Sequence, residues 1–292
     1  MRVVTCALVL LLGVTAACSG GSSSSSSTAP KPERIVYVAL GDSYSSGEGA
    51  PPYLHDAADP ASCQRSTGGW AARLAKDVDT VASFTQRACS SATTAFMTGP
   101  WASRDLPAQI PTTPDPAVTL VTFTIGGNDL GFGGIVADCY LLDCSGVPTN
   151  GLFTSGLGQL LEHLSSSVYP ALRQAYPNAR IVQVGYPRLT PAVGRPVQGC
   201  AWLTAKEQAA GALIVAELDD TIRAASRRSL RPGGAKVQYV NATNALRDHE
   251  LCSASPWIQP VTIGGAAAAH PTAAGQQAIE QAVIRALALP VH

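Results

Sequence analysis

The chain has no charge excess: 20 basic and 20 acidic residues cancel over 292 positions, with neither a basic stripe nor an acidic tail. Without clustered positive charge to neutralise a phosphate backbone, nucleic acid is not an expected partner, and electrostatic attraction to a membrane surface has no basis. No apolar run reaches the ~20 residues that a bilayer-spanning helix needs, although residues 3–14 are apolar. Cysteine occurs without C-x-x-C spacing and histidine without H-E-x-x-H, so there is no zinc motif and no metal is expected. Neither an internal repeat nor a second linker follows the serine tract at 22–27, which makes one globular domain the simplest partition. What is present is apolar side chain, 46% of the residues, enough for one full core.

The N-terminus has the parts of an export signal. Arg2 gives a positive start, residues 3–14 an apolar core, and Thr15-Ala16-Ala17-Cys18 a small-residue stretch ending in cysteine. That ending resembles the lipobox of bacterial lipoproteins, with Thr15 where the pattern prefers leucine, and implies a lipid on Cys18. Ser19-Gly20-Gly21 and the serines after it form a flexible tether. The expected partition is a signal peptide over 1–17, a tether over 18–33 and a domain over 34–292, exported and either anchored at the cell surface or free. With Cys6 and Cys18 set aside, Cys63, Cys89, Cys139, Cys144, Cys200 and Cys252 remain. An even set in an exported chain implies disulfides, although six cysteines allow fifteen pairings.

Apolar runs of strand length, rich in Val and Ile, occupy 35–40, 81–88, 118–125, 181–185 and 237–241. Helical spacing fills 70–76, 157–176, 204–228 and 272–287 between and after them. In the second of these, Leu157, Leu160, Leu161, Leu164, Val168 and Leu172 form one stripe. Thr204 and Glu207 make a capping box for the third, and Arg231-Pro232-Gly233-Gly234 stops it. In the last, Ala274, Ala278, Val283 and Leu287 are expected to face the core. Alternation of this kind implies an α/β fold: three layers, α/β/α, around a mainly parallel sheet of about five strands. Pro-rich loops over 51–60, 100–116 and 187–196 are expected to ring one sheet end, with the segments carrying Cys139, Cys144 and Cys200 as surface insertions.

Three segments carry chemistry. Gly41-Asp42-Ser43-Tyr44-Ser45-Ser46-Gly47 follows the first strand, Ile125-Gly126-Gly127-Asn128-Asp129 follows the third, and His270-Pro271-Thr272-Ala273-Ala274-Gly275 opens the last helix. Open α/β sheets place reactive groups outside the carboxyl ends of their strands. A serine needs a base to take its proton, and an attacked carbonyl needs donors for the oxyanion. Of the five histidines, His292 is terminal, His55 lies in a Pro-rich loop and His163 is on a helix face, which leaves His270 as base and His249 in reserve. Asp42 and Asp129 read as turn-stabilising carboxylates, and neither has the setting of a glycosidase acid–base pair.

The three segments together resemble the GDSL family, the SGNH hydrolases, whose members are esterases and lipases. The resemblance covers about residues 34–289. Cys63-Gln64-Arg65-Ser66, residues 88–94 and Ser255-Pro256-Trp257-Ile258 look like its secreted actinobacterial members with three disulfides. It implies a flavodoxin-like SGNH domain, Ser43 as nucleophile, and an oxyanion hole made of the Ser43 backbone N–H, Asn128 and the backbone N–H of Ser91, which stands where the family usually has glycine. It also implies the pairs Cys63–Cys89, Cys139–Cys144 and Cys200–Cys252. The family's aspartate, three residues before the histidine, is Ala267 here. Either the Ala267 carbonyl orients His270, or a displaced acid does, with Asp248 the candidate. Phe96, Trp101, Phe132 and Trp257 are candidates to line an acyl groove.

The implied activity is cofactor-free hydrolysis of acyl-ester or lipid substrates by a monomer whose membrane contact is confined to the N-terminal lipid. Deacetylation of a polysaccharide at the same site and an inactive substrate-binding lipoprotein are the alternatives. A thiol-dependent enzyme is disfavoured, because the cysteines are spent as disulfides.

Overall fold

A computed structural model describes residues 34–54, 63–198, 200, 202–262 and 267–291. The expected signal peptide, the tether with Cys18, and His55 and His292 lie outside the described residues.

Five strands form one parallel sheet: β1 (Ile35–Gly41), β2 (Val81–Gln86), β3 (Leu120–Thr124), β4 (Arg180–Val184) and β5 (Val237–Val240), in the order β2-β1-β3-β4-β5. All five fall on the runs read from sequence, β1, β4 and β5 within a residue at either end, while β2 stops two residues earlier and β3 starts two residues later than expected. Strands covered on both faces cannot alternate apolar and polar, and β3 is buried at every position. The edge strand β2 is largely exposed and carries Ser83, Thr85 and Gln86. The chain leaves β1 for β2 on one side and returns to β3 on the other, so the strand order reverses between β1 and β3. Crevices open at such points, beyond the carboxyl ends of the strands. Gly41 pairs with Thr124 in the register, so β1 and β3 deliver the segments that follow them to the same level.

One face of the sheet is covered by α2 (Trp70–Asp77) and α8 (Ala273–Leu287). There Tyr37, Ala39, Leu120, Val182 and Val184 pack with Trp70, Leu74, Ile279 and Val283. The other face carries α3 (Thr94–Thr98), the helical run α5 (Gly151–His163) and α6 (Tyr169–Ala175), and α7 (Ala205–Ser229). Its core joins Leu40, Phe123 and Ile181 to Leu160, Leu164, Leu172, Leu218 and Ile222. A single π-helical stretch, Leu164–Val168, links α5 to α6, just ahead of Pro170, which brings no N–H to the ladder. The capping box of α7 forms, with Thr204 N–H donating to Glu207 Oε2 at 2.8 Å and Glu207 N–H to Thr204 Oγ1 at 3.3 Å. In α8 the buried face is Gly275, Gln276, Ile279, Val283 and Leu287, and Ala274 is exposed. Of the expected face, Val283 and Leu287 are buried and Ala278 packs partly buried against the core, while Ala274 points outward. The short helices α1 (Ser43–Ser46) and α3 and the helix α4 (Phe132–Leu141) were not expected; α4 has no fully buried residue. The three disulfides join Cys63 to Cys89, Cys139 to Cys144 and Cys200 to Cys252.

Candidate active site

Each segment singled out in the sequence ends at the crevice between β1 and β3. Asp42 caps α1, so Ser43 is the first residue of a one-turn helix directly after β1. Ser43 is 7% exposed. Asn128 begins a 3-10 turn after β3. His270 comes from the loop before α8, and its Nε2 lies 2.7 Å from Ser43 Oγ.

The histidine is held from behind by peptide groups. Its Nδ1 is 2.9 Å from the carbonyl oxygen of Ala268. A carbonyl can only accept, so this contact puts the ring proton on Nδ1 and leaves Nε2 free to accept from the serine. The sequence reading placed the Ala267 carbonyl here. Ala267 instead accepts the backbone N–H of His270 at 3.0 Å. The cause is local backbone: Ala267 and Ala269 take positive φ, 59° and 61°, and the turn between them aims the Ala268 peptide at the ring. Tyr44 anchors the same turn by donating its hydroxyl to Ala269 O at 2.8 Å. Asp248 is not at the site. It is exposed, pairs with Arg195, and borders a separate polar hollow with Arg188, Arg247 and Glu250. His249 stacks on Trp257 with ring centroids 3.5 Å apart and contacts Ser255 O through Nδ1 at 2.7 Å, a packing role.

Asn128 Nδ2 donates to Ala92 O at 2.9 Å, which fixes the amide plane and leaves its second N–H to point elsewhere. Asp129 ties the same two segments together by accepting the backbone N–H of Thr94 at 3.1 Å and the Thr94 hydroxyl. Ser91 has φ 69°, the left-handed region where glycine is at home, which is the physical reason for glycine at that position of the pattern. Its exposed side chain borders the cavity described below. Asp42 Oδ1 accepts from Thr124 Oγ1 at 2.6 Å and from Tyr44 N–H at 3.1 Å, while Oδ2 accepts from the Tyr186 hydroxyl. Burial pushes the Asp42 carboxyl up to about 6 against the pull of these hydrogen bonds. With both oxygens engaged it is a brace for the serine turn, as its place in the sequence suggested.

These groups open into a cavity of about 410 Å³. Glu48, Ser90, Ser91 and Asn128 make its polar end. Phe132, Val136, Tyr140 and Leu141 from α4, Val215 and Leu218 from α7, and Leu189 make an apolar wall. A smaller hollow of about 40 Å³ continues between α4 and α7, sharing Phe132, Val136, Leu189 and Val215. Of the four aromatics proposed for a groove, Phe132 is in the lining. Phe96 and Trp101 stack on each other at 4.1 Å elsewhere, and Trp257 is taken by His249. Among the described residues of the Pro-rich loops, the lining takes Leu189. Sequence reasoning missed Glu48, whose Oε2 lies 3.8 Å from His270 Nε2, and, apart from Phe132, the lining that α4 supplies. Glu48 stands one residue beyond the serine motif, and that nearness was the available signal.

Residues 39–278 match the model of the GDSL-like Lipase/Acylhydrolase family. A lipase of Streptomyces rimosus is 36% identical over 250 residues, covering 85% of each chain. Lipase 1 of Streptomyces coelicolor is 32% identical, covering 82% of each. Among solved structures, the extracellular lipase of Streptomyces rimosus superimposes with TM-score 0.64 at 28% identity, and phospholipase A1 of Streptomyces albidoflavus with TM-score 0.64 at 31%. Each superposition covers 86% of this chain and 98% of the other.

Proposed function

Since the chain belongs to the GDSL-like lipase/acylhydrolase family and is a carboxylic ester hydrolase, we propose that it is an exported esterase or lipase working through an acyl-enzyme on Ser43. His270 Nε2 takes the hydroxyl proton as Oγ attacks the ester carbonyl carbon. The resulting oxyanion is met by the backbone N–H groups of Ser43 and Ser91 and by the side-chain amide of Asn128. The imidazolium then returns its proton to the leaving alkoxide, and the alcohol departs. Water attacks the acyl group by the same route in reverse, releasing the acid and free Ser43. The orienting group is the Ala268 carbonyl, so the pair works as a dyad and no cofactor takes part. The observation that carries this reading is the 2.7 Å contact between His270 Nε2 and Ser43 Oγ at the mouth of a cavity.

The apolar wall favours a lipid-like acyl chain over an acetyl group on a glycan, in keeping with relatives named lipase and phospholipase A1. Each methylene buried on binding is worth about 0.8 kcal/mol, so a few added methylenes raise kcat/KM more than tenfold. Export is supported by the three disulfides and by the extracellular lipase among the relatives; anchoring through Cys18 after removal of 1–17 belongs to the same proposal. A fluorophosphonate probe with mass-spectrometric mapping tests the site: the expected result is one adduct on Ser43, absent in Ser43→Ala. On p-nitrophenyl esters, octanoate is expected to exceed acetate in kcat/KM. Folded protein that takes no label would favour a binding lipoprotein, and a preference for acetylated glycan over every longer ester would favour the deacetylase.

A further inference from the structure

We infer that Glu48 is a positioning residue for this reaction, supplying from the Nε2 side of His270 the negative charge that is missing behind Nδ1. The inference rests on the reading of Ser43 and His270 as nucleophile and base. Glu48 Oε2 is 3.8 Å from His270 Nε2, and the two side chains are 15% and 19% exposed. Around the ring, the charged and titratable neighbours are Glu48, Asp42 and Tyr44. The carboxylate of Asp42 is saturated by Thr124, Tyr186 and the Tyr44 N–H, and the Tyr44 hydroxyl is committed to Ala269 O. Among the described residues, Glu48 is the carboxylate within ion-pair distance of the imidazole.

Its position is built into the backbone. Gly49 follows at φ 93°, and a Cβ there would stand 2.5 Å from Pro271 O and 3.0 Å from His270 Cβ, so the chain can pass this close to the histidine loop only as glycine. Gln259 Nε2 donates to Gly49 O at 2.7 Å and ties the two loops together. The Ser90 hydroxyl donates to Glu48 Oε2 at 2.5 Å and holds the carboxylate beside the ring without placing it against Nε2. Ser43 Oγ, at 2.7 Å, remains the nearer partner of that nitrogen.

The chemistry follows from where charge develops. As the serine proton reaches Nε2, the ring becomes cationic across both nitrogens, and the Ala268 carbonyl is a dipole that offers less stabilisation than an anion. A carboxylate about 4 Å away supplies the difference, because both side chains are mostly buried, 15% and 19% exposed, and the same geometry counts for more there than in bulk water. The new Nε2 proton still has the leaving oxygen as its target, since Glu48 stands beyond hydrogen-bond distance.

The test separates charge from packing. Glu48→Gln keeps the size and an acceptor for Ser90. The expected result is a kcat/KM about tenfold lower at neutral pH, with the acidic limb of the profile displaced to lower pH by about half a unit to one unit. Glu48→Asp should recover part of both effects. In a Ser43→Ala background, NMR titration of the His270 ring should likewise show a lower midpoint when Glu48→Gln is added than with the native carboxylate, a reading independent of turnover. An unchanged midpoint, or a kinetic loss with the acidic limb unmoved, would overturn the inference and leave Glu48 a packing role. If wild-type protein neither hydrolyses esters nor takes the fluorophosphonate, the reading of Ser43 fails, while the NMR comparison still decides what Glu48 does to the ring.

Discussion

At the scale of single residues, His270 is oriented by a peptide carbonyl, and the acids near it in sequence lie too far away or are already engaged. This separates two substitutions. Asp248→Asn removes the carboxylate from an exposed pair with Arg195, where surface ion pairs contribute about 0–1 kcal/mol, and should leave kcat within about twofold of wild type. Asn128→Ala removes a proposed oxyanion donor and should lower kcat by about 10²–10³ with little change in KM. Steady-state kinetics on one ester reads both, and a large loss in Asp248→Asn would restore the displaced acid. The three motifs were legible because each is a short turn at an element boundary, where glycine, serine and asparagine signal backbone geometry locally. The Ala268 carbonyl was not legible, since the choice between neighbouring peptides depends on positive φ at Ala267 and Ala269, in alanines that give no sign of it. Glu48 was missed for another reason: its partner is far along the chain, in the loop before the last helix, and only folding brings the two within 3.8 Å.

Among the elements, α4 lines much of the cavity beside Ser43 and His270. Its ten residues, FGGIVADCYL, are too uniformly apolar to show a helical stripe, and its two glycines read as loop. The strands and long helices were legible because their patterns match a buried parallel sheet and amphipathic cover; α4 answers to a cavity, a constraint that periodicity does not record. The helix closes with Cys139 bridged to Cys144, next to Leu141 and Leu142, which are 60% and 76% exposed. Val136 borders both the main cavity and the hollow that continues toward α7. Val136→Trp should fill that passage. Hydrolysis of decanoate and longer esters should fall at least about tenfold while acetate stays within about twofold, since misfit in a filled pocket costs about 1–3 kcal/mol. A chain-length series of p-nitrophenyl esters gives the answer, and an equal loss at every length would place the acyl chain elsewhere.

Over the whole molecule, three buried carboxyls in different parts of the structure act in the same direction. Asp42 follows β1, Asp219 lies on α7 under Tyr186 N–H and Thr243, and Glu280 sits between α8 and α2, where Arg73 Nε meets it at 2.9 Å. Burial raises them to about 6, about 6 and about 7, in each case outweighing the hydrogen bonds and cations that favour the anion. A carboxyl whose folded pKa lies above its unfolded value of about 4 favours the fold most when protonated, and that contribution is lost as pH rises from the unfolded pKa through the folded one. The loss therefore falls between about pH 4 and pH 8. Asp143, lowered by hydrogen bonds from Ser145, has the opposite sign, but its contribution fades only as pH falls below the ordinary carboxylate range. Thermal unfolding followed at pH 5, 6, 7 and 8 should thus show Tm falling with pH, by several degrees, given that ~1 kcal/mol corresponds to about 2–4 °C in a domain of this size. Glu280→Gln should flatten the upper part of that slope, because an amide stays neutral where the acid ionises. A Tm that holds constant or climbs over the same range would mean that these carboxyls ionise in the fold as easily as in water. For Glu280, the face of the sheet that α2 and α8 cover would then have to be wetter than its packing of Trp70, Leu74, Ile279 and Val283 allows.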